Sequence, residues 1–140
     1  MQINQIIIFF RHIANFKPFF TPLVHLITTG LKNKPIETSP GVILCGSSTE
    51  SVETNLWRVH LEAYTEATDS WEKIAVEDKG FEVIQPTFLV HSNTSILMLL
   101  RSKHNKLISS WSDDNGKNWS RTDSINVVNS NSGVDALTLN

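Results

Sequence analysis

Five histidines are the first place to look for metal chemistry, and their spacing does not supply it. His12, His25, His60, His91 and His104 contain no pair four residues apart, and none adjoins the single cysteine, Cys45. The usual zinc-ligand spacings are therefore absent. A phosphate loop needs closely spaced glycines, and the six glycines never occur as Gly-x-Gly. Ser47-Ser48 lacks the Gly-x-Ser-x-Gly surround that exposes a hydrolase serine. No metal and no cofactor are expected. Trp57, Trp71, Trp111 and Trp119 have faces that can stack on a sugar, but their strand spacing assigns them to a core first.

One stretch does have fixed spacing. Ser112-Asp113-Asp114-Asn115-Gly116-Lys117-Asn118-Trp119 reads as Ser-x-Asp-x-Gly-x-x-Trp, the Asp-box pattern. Its chemistry is structural. Ser and Asp side chains bond nearby backbone amides and fix a turn. Gly116 supplies a left-handed backbone, and Trp119 begins the returning strand and folds over the hairpin. Ser112, Asp114, Gly116 and Trp119 are thus read as a staple. The alternative is an ordinary polar turn.

At 140 residues the chain is one domain at most. A hydrophobic share of 40% suits a soluble core, and a net charge of −2 leaves no basic footprint for nucleic acid. One cysteine forbids an internal disulfide and leaves the compartment open. Asn93-Thr94-Ser95 and Asn118-Trp119-Ser120 are glycosylation sequons, meaningful only in a secreted protein. Residues 1–30 differ from the rest and are read as a leader. Arg11 and Lys17 follow the apolar run Ile6–Phe10 instead of preceding it, and Pro18 and Pro22 break the second run. Neither the signal-peptide layout nor the roughly 20 apolar residues of a membrane span is met.

From Leu31 the pattern is strand, turn, strand. Leu56–Tyr64 alternates Trp57, Val59, Leu61 and Ala63 against Arg58, His60 and Glu62, the period of a half-buried strand. Val42–Gly46 and Ser95–Leu100 are buried runs with polar ends, and Ser39-Pro40-Gly41 turns. The order then recurs. Pro35 and Pro86 stand 51 positions apart, and Trp71 and Trp119 stand 48 apart. Tyr64–Trp71 reads as a decayed second box. A repeat near fifty residues with four strands per unit predicts an all-β fold made of β-propeller blades. The units are placed at about 31–80 and 81–128, and a third begins near Asn129. Two blades and a strand do not close a ring, so the chain is expected to be a fragment of a longer protein. A β-sandwich with coincidental spacing is the competing reading.

Several stretches, in order, carry a resemblance: Lys32–Ile36, Ser47–Glu50, Ile84–Thr87, Leu100-Arg101-Ser102, the box, and Asn129–Ala136. Over residues 31–140 the chain resembles the sialidase (neuraminidase) superfamily, in its BNR-repeat, sialidase-like branch. The resemblance implies a six-bladed β-propeller with a glycan pocket on its axis. It also implies exo-glycosidase chemistry, with an arginine triad on the substrate carboxylate, a Tyr–Glu nucleophile and an Asp acid/base. A planar guanidinium suits a carboxylate because it binds at two points and stays charged.

Carried over by position, Arg101 is the substrate cation, or else a salt-bridged strand-end arginine. Glu50 is the acid/base carboxylate, or else a solvated loop glutamate. Lys34, Gln85, Asn131 and Asp135 fall at motif positions near strand starts and are read as substrate-binding, or else as bonded to local backbone. The departures are specific. Tyr64 is the single tyrosine and lies in the decayed box. Arg11, Arg58, Arg101 and Arg121 do not make a triad, and Ser130 stands where the family usually has Pro. The partners implied are a glycan and the remaining blades of a longer chain, and hydrolysis by this chain alone is not expected; the alternative function is that of a non-catalytic propeller fragment binding a glycan or a protein partner.

Overall fold

The computed structural model describes residues 6–9 and 33–138; most of the expected leader over 1–30 lies outside the described residues. The described residues are all-β apart from one short 3-10 turn at Glu66–Thr68. Strand β1 is Ile6–Phe9. Strands β2 (Ile36–Ser39), β3 (Val42–Glu50), β4 (Trp57–Thr65) and β5 (Ser70–Ala75) form the first blade. Strands β6 (Val83–Val90), β7 (Ile96–Ser102), β8 (Lys106–Ser112) and β9 (Asp123–Val128) form the second. Each blade is a meander of four antiparallel strands in chain order, and β10 (Asp135–Thr138) opens a third unit. Its partner is β1, with Ile6 opposite Thr138 and Phe9 opposite Asp135, so part of the leader enters the fold as a strand.

Side-chain parity explains the packing. In β4, Val59 and Leu61 are buried while Arg58 on the other face is exposed, as the alternation predicts. Val59, Leu61 and Leu44 meet Val83, Phe88, Ile96, Met98, Leu100 and Ile108 of the second blade in one core. The opposite parity of β7, Leu97 and Leu99, joins Leu89 and Leu107 in a second core against Val134 and Ala136. β7 is covered on both faces, which accounts for its unbroken apolar run Ile96–Leu100.

The connection from β8 to β9 is built by side chains. Ser112 Oγ accepts from the Gly116 amide at 2.8 Å and donates to Asp114 Oδ1 at 2.8 Å. Asp114 Oδ1 accepts from the amides of Asn118 at 2.9 Å and Lys117 at 3.1 Å, and Oδ2 from Asn118 Nδ2 at 2.7 Å. Gly116 has φ +84°, and a Cβ there would lie 3.0 Å from Leu44 Cδ2 of the first blade. The turn is therefore also a contact between blades. Trp119 departs from expectation: the returning strand starts at Asp123, not at Trp119. With the amides of Lys117 and Asn118 given to Asp114, the indole turns back, and Nε1 donates to the Gly116 carbonyl at 2.9 Å. Its ring lies 5.9 Å from Phe88.

These donors, the Asn118 amide first and its side chain next, hold the Asp114 carboxyl at about 2, below its ordinary 3.8. A carboxyl depressed in the folded state stabilises above its unfolded value and loses that contribution as pH falls through the folded one. Asp114→Ala is expected to cost about 1–2 kcal/mol at neutral pH by orphaning the turn amides. Thermal unfolding at pH 7 and near pH 2 checks this, because the gap between wild type and variant must narrow at the acid end. A gap equal at both would show that ionised Asp114 does not hold the turn.

Candidate functional site

The first strands of the units begin, and the second strands end, at one rim. Antiparallel pairing dictates this: Ile84 faces Arg101 and Val83 faces Ser102. Lys34 precedes β2, Gln85 lies near the start of β6, Asp135 starts β10, and Asn131 is in the loop before it. Glu50 ends β3, and Arg101 is the penultimate residue of β7. The Ser112–Trp119 turn is at the other end, since Ser112 pairs with Ile96 at the start of β7.

Three of the residues expected to bind substrate are joined directly. Arg101 Nε donates to Asn131 Oδ1 at 2.6 Å, and Nη1 donates to Gln85 Oε1 at 3.3 Å. Both partners are neutral amides. Among the described residues Arg101 has no carboxylate partner, so the salt-bridged alternative does not apply to it. The first blade adds Trp57, whose ring centroid lies 5.0 Å from the Arg101 guanidinium carbon.

Gln85 is aimed at Arg101 by a bulge. The register slips between Ile84 and Thr87, so Gln85 and Pro86 together occupy the place opposite Leu100. Gln85 takes φ +56°, a left-handed conformation costly for a side chain before proline. Neighbours hold it there. Asn33 Nδ2 donates to the carbonyls of Gln85 at 3.0 Å and Pro86 at 2.9 Å. Gly46 in β3 leaves room for the Pro86 ring, since a Cβ at 46 would stand 2.4 Å from Pro86 Cγ.

Lys34 and Asp135 form a second pair at 3.3 Å. Asp135 also accepts from Thr87 Oγ1 at 3.4 Å and from the Ala136 amide at 3.0 Å, so its carboxylate is engaged by the fold. Glu50 is exposed and makes no ion pair among the described residues. It lies directly across the ladder from Trp57, so the two side chains share one sheet face.

Sequence reasoning missed Trp57, Lys103, Asn33 and Thr87. Trp57 was assigned to the blade core but is half-buried at the rim, with Lys103 Nζ 4.8 Å from its centroid as well. Lys103 is paired with Glu82 at 3.0 Å and also donates to the Asn55 carbonyl. No local signal marks the pair: Lys103 lies in the turn after β7, and Trp57 opens β4 of the other blade. Trp111 also departs from a core position, at 38% exposed.

Tyr64 closes the far end of β4, seven residues from Trp57, or roughly 23 Å at about 3.3 Å per residue. Its hydroxyl donates to Asp69 Oδ1 at 2.9 Å, and that bond raises its pKa above the ordinary value, away from phenolate. Its ring meets Trp71 at 5.1 Å, so the decayed box is a hairpin contact. The Cys45 thiol is buried and pushed up to about 11, by desolvation first and Glu62 second. No group of His, Cys, Asp and Glu that could hold a metal occurs among the described residues, and no described helix is long and apolar enough to cross a membrane. A concavity of about 290 Å³ lies at Glu37–Pro40 and another of about 480 Å³ between β5 and Trp119. Neither includes Arg101.

Comparison with solved structures finds a likeness of fold to sialidases. A variant of NanB sialidase from Streptococcus pneumoniae matches with TM-score 0.54 and 16% identity, over 69% of this chain and 14% of the sialidase. NanB with Optactamide matches with TM-score 0.50 and 15% identity, over 65% of this chain and 13% of that one. The chain thus spans about one seventh of the length of the sialidases it matches. No curated protein matches. The described residues are two antiparallel propeller blades and the opening strand of a third. With the BNR repeat-like domain matching residues 20–140, the chain belongs to that family.

Proposed function

We propose that this chain is part of a sialidase-like exo-glycosidase scaffold, and that its rim binds the carboxylate of a terminal acidic sugar without hydrolysing the glycoside by itself. The observation that carries this reading is the company Arg101 keeps. A structural arginine is normally neutralised by a carboxylate, whereas Arg101 is fixed by two amides and a ring and keeps its full charge. Nη2 has no partner among the described residues, so a ligand carboxylate can take it without displacing protein bonds. Gln85 and Asn131 orient the guanidinium, and the Lys34–Asp135 pair lies at the same rim. Glu50, one cross-strand neighbour from the ring under Arg101, is the carboxylate available for proton transfer in a complete site. The Ser112–Trp119 turn serves as an Asp-box staple at the far end.

Two features favour binding over turnover. The single tyrosine is at the opposite end of its strand, and among the described residues no arginine besides Arg101 bonds to Gln85 or Asn131, whereas the family's chemistry uses three arginines. The rest of such a pocket would come from further blades of a longer chain.

Titration of the purified chain with N-acetylneuraminic acid and with its carboxyl methyl ester tests the proposal. Arg101→Ala is expected to weaken binding of the acid about 10- to 100-fold, the worth of a hydrogen bond to a charged group. The ester should bind wild type as weakly as the acid binds the variant, and a fluorogenic sialoside should not be turned over. Equal affinity of wild type and variant for the acid would overturn the reading.

A further inference from the structure

We infer that Trp57 is a positioning residue for Arg101: the first blade supplies the aromatic ring that fixes the anion-binding cation of the second. The inference rests on the reading of Arg101 given above. Arg101 extends from the end of a strand, and a free arginine side chain samples many rotamers. Its two amide partners fix Nε and Nη1 in the guanidinium plane, but amide bonds alone let that plane tilt. A ring 5.0 Å from the guanidinium carbon constrains it from a third direction. The π face attracts a cation without neutralising it, so Arg101 is held and its charge stays available. A carboxylate in the same place would hold it and cancel it.

Lys103 shows the contrast. It lies 4.8 Å from the same ring, yet it carries Glu82 at 3.0 Å as its counter-ion. Its other contacts are to Asn55, and Asn55 and Glu82 both have left-handed backbones, with φ +53° and +50°. Lys103 therefore ties the loop before Trp57 to the second blade. Of the two cations at this ring, one is neutralised and anchors the ring, and the other is left charged and faces the rim. The ring itself is set by β4, directly opposite Glu50, so one side chain links the candidate proton-transfer group to the candidate anion site.

The test compares wild type with Trp57→Leu and Trp57→Phe, with N-acetylneuraminic acid as the probe. Trp57→Leu removes the π face and is expected to weaken probe binding about 3- to 30-fold. It should also speed solvent exchange of the Arg101 Nε–H followed by nitrogen-15 NMR. Trp57→Phe keeps a ring and should restore most of the affinity. Adding probe should change tryptophan emission in wild type and not in Trp57→Phe, because the charge over that indole is what the ligand neutralises. A folded Trp57→Leu with wild-type affinity and wild-type Nε–H exchange would overturn the inference. So would an emission change that persists in Trp57→Phe, which decides the matter even if the leucine variant does not fold. If Arg101→Ala binds the probe as wild type does, the proposed function fails instead, and Nε–H exchange in the Trp57 variants still decides this inference.

Discussion

Gly46→Ala is expected to destabilise the fold by about 3 kcal/mol, the upper range for forcing atoms into a packed site, and to weaken the rim at the same time. A Cβ at position 46 would stand 2.4 Å from Pro86 Cγ, 3.0 Å from the Pro86 carbonyl oxygen and 3.2 Å from Pro86 Cβ. A proline ring does not rotate away, and its carbonyl is held by Asn33 at 2.9 Å. The strand must therefore move, and the residue beside Pro86 is Gln85, at φ +56° with Arg101 on its side chain. Urea unfolding reads the first effect and probe titration the second. An unchanged unfolding midpoint would show that the blades do not approach as closely as described. An unchanged affinity in a destabilised variant would show that the bulge does not aim the site.

Leu61→Ala is expected to cost about 3–4 kcal/mol, as removing a large buried aliphatic side chain leaves a cavity. Leu61 is 0% exposed and faces Gly46 across the β3 ladder, so no side chain on that strand can fill the space, and Ile74 is the one cross-strand side chain beside it, on β5. Its neighbours in the core come from both blades, so the loss falls on the contact that orders the site. Val128→Ala is the control: at 80% exposed, it should change stability by less than about 0.5 kcal/mol. Similar midpoints for the two variants would mean that the blades are not packed through this core.

The strands were legible because their signals are local. Trp57, Val59, Leu61 and Ala63 alternate with polar residues, and β4 follows. Pro35 and Pro86, with Trp71 and Trp119, mark the repeat, and two meanders of four follow. The Ser112–Trp119 turn was legible for the same reason, since Ser112 and Asp114 bond amides within a few residues. The length of its return was not: Asp114 and the Trp119 indole satisfy groups that a ladder would otherwise use, so the strand resumes at Asp123. The bulge at Gln85 was not legible either. A residue before proline is expected to be extended, and only Gly46 and Asn33, distant in sequence, make the left-handed backbone tenable. Arg101, Gln85 and Asn131 were named from motif positions, but their convergence depends on that bulge. Trp57 and Lys103 could not be singled out, because cation and ring belong to different blades and meet only after those blades pack.

The most direct test of the rim is a nitrogen-15 NMR titration of the whole chain with N-acetylneuraminic acid. It follows the Arg101 Nε–H and the side-chain amides of Gln85 and Asn131. The prediction is that these three signals shift together and saturate at one ligand concentration, while the Asn118 amide at the far turn stays still. Saturable binding that leaves the three rim signals unmoved would place the ligand elsewhere and contradict the account.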